Sequence, residues 1–89
     1  MPKRTVTIIN KLGLHARAAA RLVQVASGFE SDINIIHASK EVSGKSIMGV
    51  MMLAAGKGTS LDIVANGRDE EIALNKLEEL ILDRFGEKE

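Results

Sequence analysis

The chain has 89 residues, 12 basic and 12 acidic side chains that balance to a formal charge of zero, two histidines, two phenylalanines and no cysteine. That length predicts one small domain over residues 1–89, which buries roughly 60% of its surface on folding and has no room for an enclosed substrate cavity, so any activity sits on an exposed face. The missing cysteine excludes a disulfide framework and thiolate metal ligands and fits a reducing cytoplasm, while balanced charge and scarce aromatics exclude a nucleic-acid surface.

The opening Met-Pro-Lys-Arg runs into Thr5-Val6-Thr7-Ile8, a stretch too short and too polar for the apolar region of a signal peptide. No run is long enough to insert into a membrane. Arg4 to Asn10 alternates β-branched and polar residues and predicts a half-buried strand. Lys11 to Leu14, with Gly13, reads as a loop. From there Ala16, Ala19, Ala20, Val23 and Ala26 recur at helical spacing and predict a helix from about Ala16 to Ser27, with Gly28 ending it in a left-handed turn.

Asp32 to His37 and Lys40 to Ser43 predict two short strands in a hairpin, although Ala38-Ser39 is a weak turn signal. Ser46 to Leu53 predicts a short helix with Ser46 as N-cap, broken by Gly56-Lys57-Gly58. Alternating Leu61, Ile63 and Ala65 mark a fourth strand. A last helix starts at an Asp69 cap with Glu70 and Glu71 in its first turn, points Leu74, Leu77 and Ile81 inward, and ends near Phe85-Gly86. The order β-α-β-β-α-β-α is that of an α+β, open-faced two-layer sandwich: a four-stranded, mainly antiparallel sheet with three helices on one face.

Reactive chemistry concentrates in Gly13-Leu14-His15-Ala16-Arg17, where a histidine stands between a glycine loop and a helix start. The first amides of a helix have no intrahelical partners and the dipole is positive there, so the Ala16 and Arg17 amides can receive an anion, phosphate above all. A neutral imidazole has a free ring nitrogen that can attack phosphorus near pH 7. Arg17 in the first turn offers a planar, permanent charge to phosphoryl oxygens, and Arg21 lies one turn further on. The plainer alternative is a surface histidine beside a glycine that serves only its turn. Ser46 likewise has a plain role as a cap. Gly44-Lys45-Ser46 mimics the end of a nucleotide-binding P-loop, but Ser39 stands where the first glycine is required. Gly56-Lys57-Gly58-Thr59 reads as a turn and His37 as a hairpin residue. With two histidines and no cysteine, neither a metal site nor a cofactor is expected.

Gly13-Leu14-His15-Ala16-Arg17, followed by alanines, resembles the active-site signature of the HPr family, the histidine-containing phosphocarriers of the bacterial phosphoenolpyruvate-dependent phosphotransferase system. Lys45-Ser46-Ile47-Met48-Gly49-Val50-Met51 resembles the regulatory segment of that family, and the order of elements agrees over nearly the whole chain. The resemblance implies that His15 accepts phosphate from the phosphoenolpyruvate-dependent first enzyme, on the ring nitrogen nearer the main chain. It would pass that phosphate to a sugar-specific, IIA-type acceptor, with Arg17 as neutralising partner. It further implies a cytoplasmic monomer that carries a transient phosphohistidine and is not a stand-alone enzyme, with Ser46 as the target of a serine kinase/phosphorylase. The docking face beside the histidine would take in Ala16, Ala20, Gln24, Ile47, Met48 and Met51, because so short a second helix cannot bury its whole apolar stripe. The sequence departs from the family at Ala18, where a proline is usual; alanine keeps the helix and adds an amide donor. Two alternatives stand beside this one: a nitrogen-related regulatory paralogue, which Asn10-Lys11-Leu12-Gly13 fits, and a non-catalytic interaction module built on the methionine stripe.

Overall fold

Aliphatic residues at every second strand position form the floor of the core. The computed structural model describes residues 2–89, in the order β1 (Lys3–Thr7), α1 (Ala16–Ala26), β2 (Asp32–His37), β3 (Lys40–Ser43), α2 (Ile47–Met52), β4 (Ser60–Asn66) and α3 (Glu70–Leu82), with a 3-10 turn at Arg84–Gly86. The strands make one sheet in the spatial order β1-β4-β2-β3, and every neighbouring pair is antiparallel. Register puts Val6 opposite Leu61, Ile35 opposite Ile63 and Ile33 opposite Ala65, so all six side chains share one buried face. Against that face pack Ala18, Ala19, Leu22 and Ala26 of α1, Val50 of α2, and Ala73, Leu74, Leu77 and Ile81 of α3. Each large aliphatic side chain buried there contributes about 1.5–3 kcal/mol, which is how a core with a single buried aromatic residue holds.

The opposite face is mainly polar, with half-buried Ile36 and Val64 among its polar residues. Thr5 donates to Asp62 at 2.6 Å, Thr7 and Ser60 hydroxyls meet at 3.1 Å, and Asn34 donates to Glu41 at 2.7 Å, so cross-strand pairs take the place of a second layer. Arg4 turns the other way and closes the edge between β1 and α3 through Asn75 at 3.1 Å and Glu78 at 2.7 Å. Among the described residues no helix is long and apolar enough to cross a membrane.

The predicted architecture holds, and five local expectations do not. β1 stops at Thr7 and not at Asn10: Ile8 still bonds to Thr59 and Gly58, but Asn10 leaves the ladder for a buried loop position. On α1 the inward row is Ala18, Ala19, Leu22 and Ala26, while Ala16 and Ala20 are exposed and Val23 is half-buried. Gly28 adopts no left-handed conformation; α1 ends instead through tight amide bonds from Gly28 to Val25 at 3.1 Å and from Phe29 to Ala26 at 3.2 Å. Asp69 precedes α3, but its carboxylate caps nothing there. It accepts from the Ser31 hydroxyl and from the amides of Glu30 at 2.9 Å and Ser31 at 3.0 Å, and these bonds, the hydroxyl's foremost, hold its carboxyl below the ordinary aspartate value. α3 itself ends at Leu82, because Arg84 and Phe85 both take positive φ (56° and 55°) and swing Phe85 back into the core.

Candidate functional site

The loop between β1 and α1 is fixed by one residue that sequence reading had assigned to a strand. Asn10 is fully buried; one amide hydrogen of its side chain goes to the Gly13 carbonyl at 2.9 Å and the other to Glu87 Oε1 at 2.9 Å. Gly13 has φ +66°, and the segment leaving α2 presses against it: a Cβ there would lie 2.6 Å from the Ala55 carbonyl oxygen. The Leu14 amide then bonds to that same oxygen at 2.8 Å. These contacts deliver His15 to the N-cap of α1, with extended backbone angles and no side-chain cap bond. The first intrahelical bond runs from the Ala19 amide to the His15 carbonyl at 2.8 Å. The amides of Ala16, Arg17 and Ala18 thus have no partner within the helix, as an anion site requires.

Around His15 lies an open groove lined by Lys11, Leu12, His15, Ala16, Arg17, Glu87, Lys88 and Glu89. The His15 side chain is 30% exposed. Arg17 is exposed on the groove wall and, among the described residues, makes no ion pair. Arg21, one turn on, is not available to the groove, because its guanidinium donates to the Phe85 carbonyl and ties the 3-10 turn to α1. The chain after that turn supplies what the sequence did not announce. Glu87 Oε2 meets His15 Nε2, and Lys11 binds Glu89 twice, through its amide at 2.6 Å and its ammonium at 3.3 Å. Burial works against the Glu87 charge, but hydrogen bonds from Asn10 and His15, with Arg21 nearby, outweigh it and hold the carboxyl below the ordinary glutamate value. Two carboxylates therefore border a site to which the helix end, Lys11, Arg17 and Lys88 bring positive charge.

α2 packs beside α1 and leaves Ile47, Met48, Met51 and Met52 exposed, at 44, 73, 41 and 65%. Val50 and Leu53 are buried. Of the predicted docking residues, Ala16, Ala20 and Gln24 are exposed on α1 and Ile47, Met48 and Met51 on α2; sequence reading missed Met52 and the exposed Leu12 of the loop. Ser46 caps α2 by accepting from the Gly49 amide at 3.1 Å. Ser46→Ala leaves that amide unpaired, which costs about 1 kcal/mol, and is expected to lower the melting temperature of so small a fold by about 4–8 °C in a thermal unfolding scan. Among the described residues no three of His, Cys, Asp or Glu gather to hold a metal ion.

Fold and site together define a class: a small open-faced sandwich that presents a histidine at a helix N-cap position in an open, charged groove, with an exposed apolar helix packed beside it. Comparison with known proteins narrows it. Residues 2–83 match the family model PTS-HPr, described as the PTS HPr component phosphorylation site. The chain is 52% identical to the phosphocarrier protein HPr of Cupriavidus necator over 89 residues and 54% identical to that of Pseudomonas aeruginosa over 90, each alignment covering 100% of both chains. A crystal structure of HPr from Thermoanaerobacter tengcongensis superposes with a TM-score of 0.96 at 46% identity over 100% of both chains, and a dimeric HPr crystal structure from the same organism with 0.79 at 47% identity over 98% of this chain and 100% of that one. The chain belongs to the HPr family, the phosphocarriers of the phosphotransferase system.

Proposed function

We propose that His15 is the group that carries the phosphoryl, taken from the phosphoenolpyruvate-dependent first enzyme and passed to a sugar-specific, IIA-type acceptor. One observation carries this reading: His15 is part-exposed at the N-cap of α1, at the head of amides that have no helical partner and in the same groove as Arg17. In-line transfer between two proteins needs positioning and charge more than an enclosed pocket, and an open groove meets that need. Arg17 is the neutralising partner, and the amides of Ala16 and Arg17 receive phosphoryl oxygens. Purified protein incubated with phosphoenolpyruvate and a bacterial first enzyme is expected to gain a phosphate that is acid-labile and alkali-stable; an acid-stable adduct, or none, overturns the assignment.

Arg17→Ala removes a charge-assisted bond worth about 1.5–3 kcal/mol, so the initial rate of phosphate uptake should fall roughly 10- to 100-fold while the fold stays intact. The partner face is the exposed edge of α1 and α2, Ala16, Ala20, Gln24, Ile47, Met48 and Met51, where flexible methionines fit a donor and an acceptor in turn. Because that face must stay open, the working form is a cytoplasmic monomer. Ser46 is its regulatory residue: a serine kinase/phosphorylase acting there would place nearly two negative charges beside Ile47 and Met48, which repels an acidic partner. The name borne by the relatives above, phosphocarrier protein HPr, favours a phosphocarrier over a pure interaction module.

A further inference from the structure

We infer that Glu87 is a positioning residue for His15, fixing the ring proton on Nε2 so that Nδ1 is the nitrogen left free to take phosphate. This rests on the proposal that His15 is the carrier. The two oxygens of the carboxylate have different partners: Oε1 accepts from buried Asn10 at 2.9 Å, and Oε2 faces His15 Nε2. A carboxylate held below its ordinary protonation range can only accept, so the neutral ring must donate from Nε2. Among the described residues no hydrogen bond engages Nδ1. Nothing about the placement of Glu87 is casual. Phe85 is buried in the core, Arg21 holds the Phe85 carbonyl, and Gly86 sits at φ +79°, where a Cβ would come within 2.5 Å of the Arg21 guanidinium and disturb that hold. Asn10 is pinned in turn by Gly13, the same residue that sets the path into His15.

The transfer step balances without a co-reactant. The Nδ1 lone pair forms the N–P bond while the bond from phosphorus to the donor's leaving atom breaks, and that electron pair departs with the donor. The proton on Nε2 stays in place, and the positive charge that develops on the ring meets the Glu87 carboxylate. When phosphate passes on, the Nδ1–P pair returns to the ring and the same contact remains. An outer-layer carboxylate of this kind orients the ring and selects its tautomer, and losing such a group typically costs 10- to 100-fold.

Glu87→Gln separates orientation from mere bulk. Glutamine has one acceptor and one donor in place of two acceptors, so it cannot satisfy Asn10 and Nε2–H together. In this variant, nitrogen NMR of the His15 ring is expected to show the Nε2–H form, dominant in the unaltered protein, giving way to a mixture of tautomers. The initial rate of phosphorylation should fall about tenfold, with the melting temperature held within a few degrees, and Glu87→Asp should restore part of both. A wild-type tautomer ratio in the glutamine variant overturns the inference, as does a shifted ratio with an unchanged rate. If the unaltered protein takes no phosphate at all, the carrier proposal fails, whereas the ring NMR still decides whether Glu87 sets the tautomer. Equal uptake by both proteins, with equal spectra, removes the role of Glu87 and leaves His15 as the carrier.

Discussion

His15→Ala should abolish phosphorylation by phosphoenolpyruvate and the first enzyme, lowering the uptake rate by on the order of a thousandfold or more, as removal of a reacting nucleophile does. The substitution leaves the fold in place. His15 makes no cap bond to α1, so alanine orphans no helical amide, and the one bond lost is that to Glu87 Oε2. The change in unfolding free energy should stay within about 1–2 kcal/mol, the worth of that one bond. The natural control is His37, the second histidine, at the end of β2 opposite Lys40. His37→Ala should phosphorylate at the parental rate. If His15→Ala retains an acid-labile phosphate that His37→Ala loses, the carrier has been placed on the wrong ring.

Gly13→Ala is expected to damage both stability and transfer. At φ +66° an alanine already bears about 1–2 kcal/mol of left-handed strain. Its Cβ would also lie 2.6 Å from the Ala55 oxygen and 2.7 Å from the Gly56 Cα, and both obstacles are backbone that cannot rotate away. Relief means pulling the loop off the segment behind α2 and weakening the Leu14–Ala55 bond, about 1 kcal/mol more. A total near 3 kcal/mol corresponds to a melting temperature lowered by roughly 12–24 °C. Because the loop also carries Asn10 and His15, transfer should slow in the fraction that stays folded. Gly28→Ala provides the contrast: φ there is not positive and a Cβ would meet only the Val25 oxygen at 3.4 Å, so calorimetry should find it nearly silent. A Gly13→Ala protein that melts like the parent would refute the close-approach account.

Element identity was legible because strand and helix periods differ. Leu61, Ile63 and Ala65 alternate without interruption, Leu74, Leu77 and Ile81 step at helical spacing, and both were found buried. The inward face of α1 was harder to read. Alanines at 16, 18, 19, 20 and 26 carry almost no contrast in hydrophobicity, so the decision falls to Leu22, which packs the helix with Ala18 and Ala19 inward and Ala16 outward. His15, Arg17 and Ser46 stood out because a helix start needs particular chemistry at particular positions. Glu87 could not stand out. Its approach to His15 depends on two consecutive left-handed residues, Arg84 and Phe85, that no propensity favours, and on a contact spanning 72 positions in the chain. Gly86 was the one clue, marking a turn without saying what the turn would bring back. Asn10 was hidden for a related reason: a buried amide is explained only by its partners, Gly13 and Glu87, and both lie outside any local pattern.

His15 and Arg17 line one open groove at the start of α1, α2 with its exposed methionines packs against that same helix, and the outer sheet face carries its own polar pairs. A courier with a single hand cannot hold giver and receiver at once, so each must leave before the next arrives. Throughput is then governed by departure, and natural selection on such a molecule favours brief, loosely held encounters over tight ones.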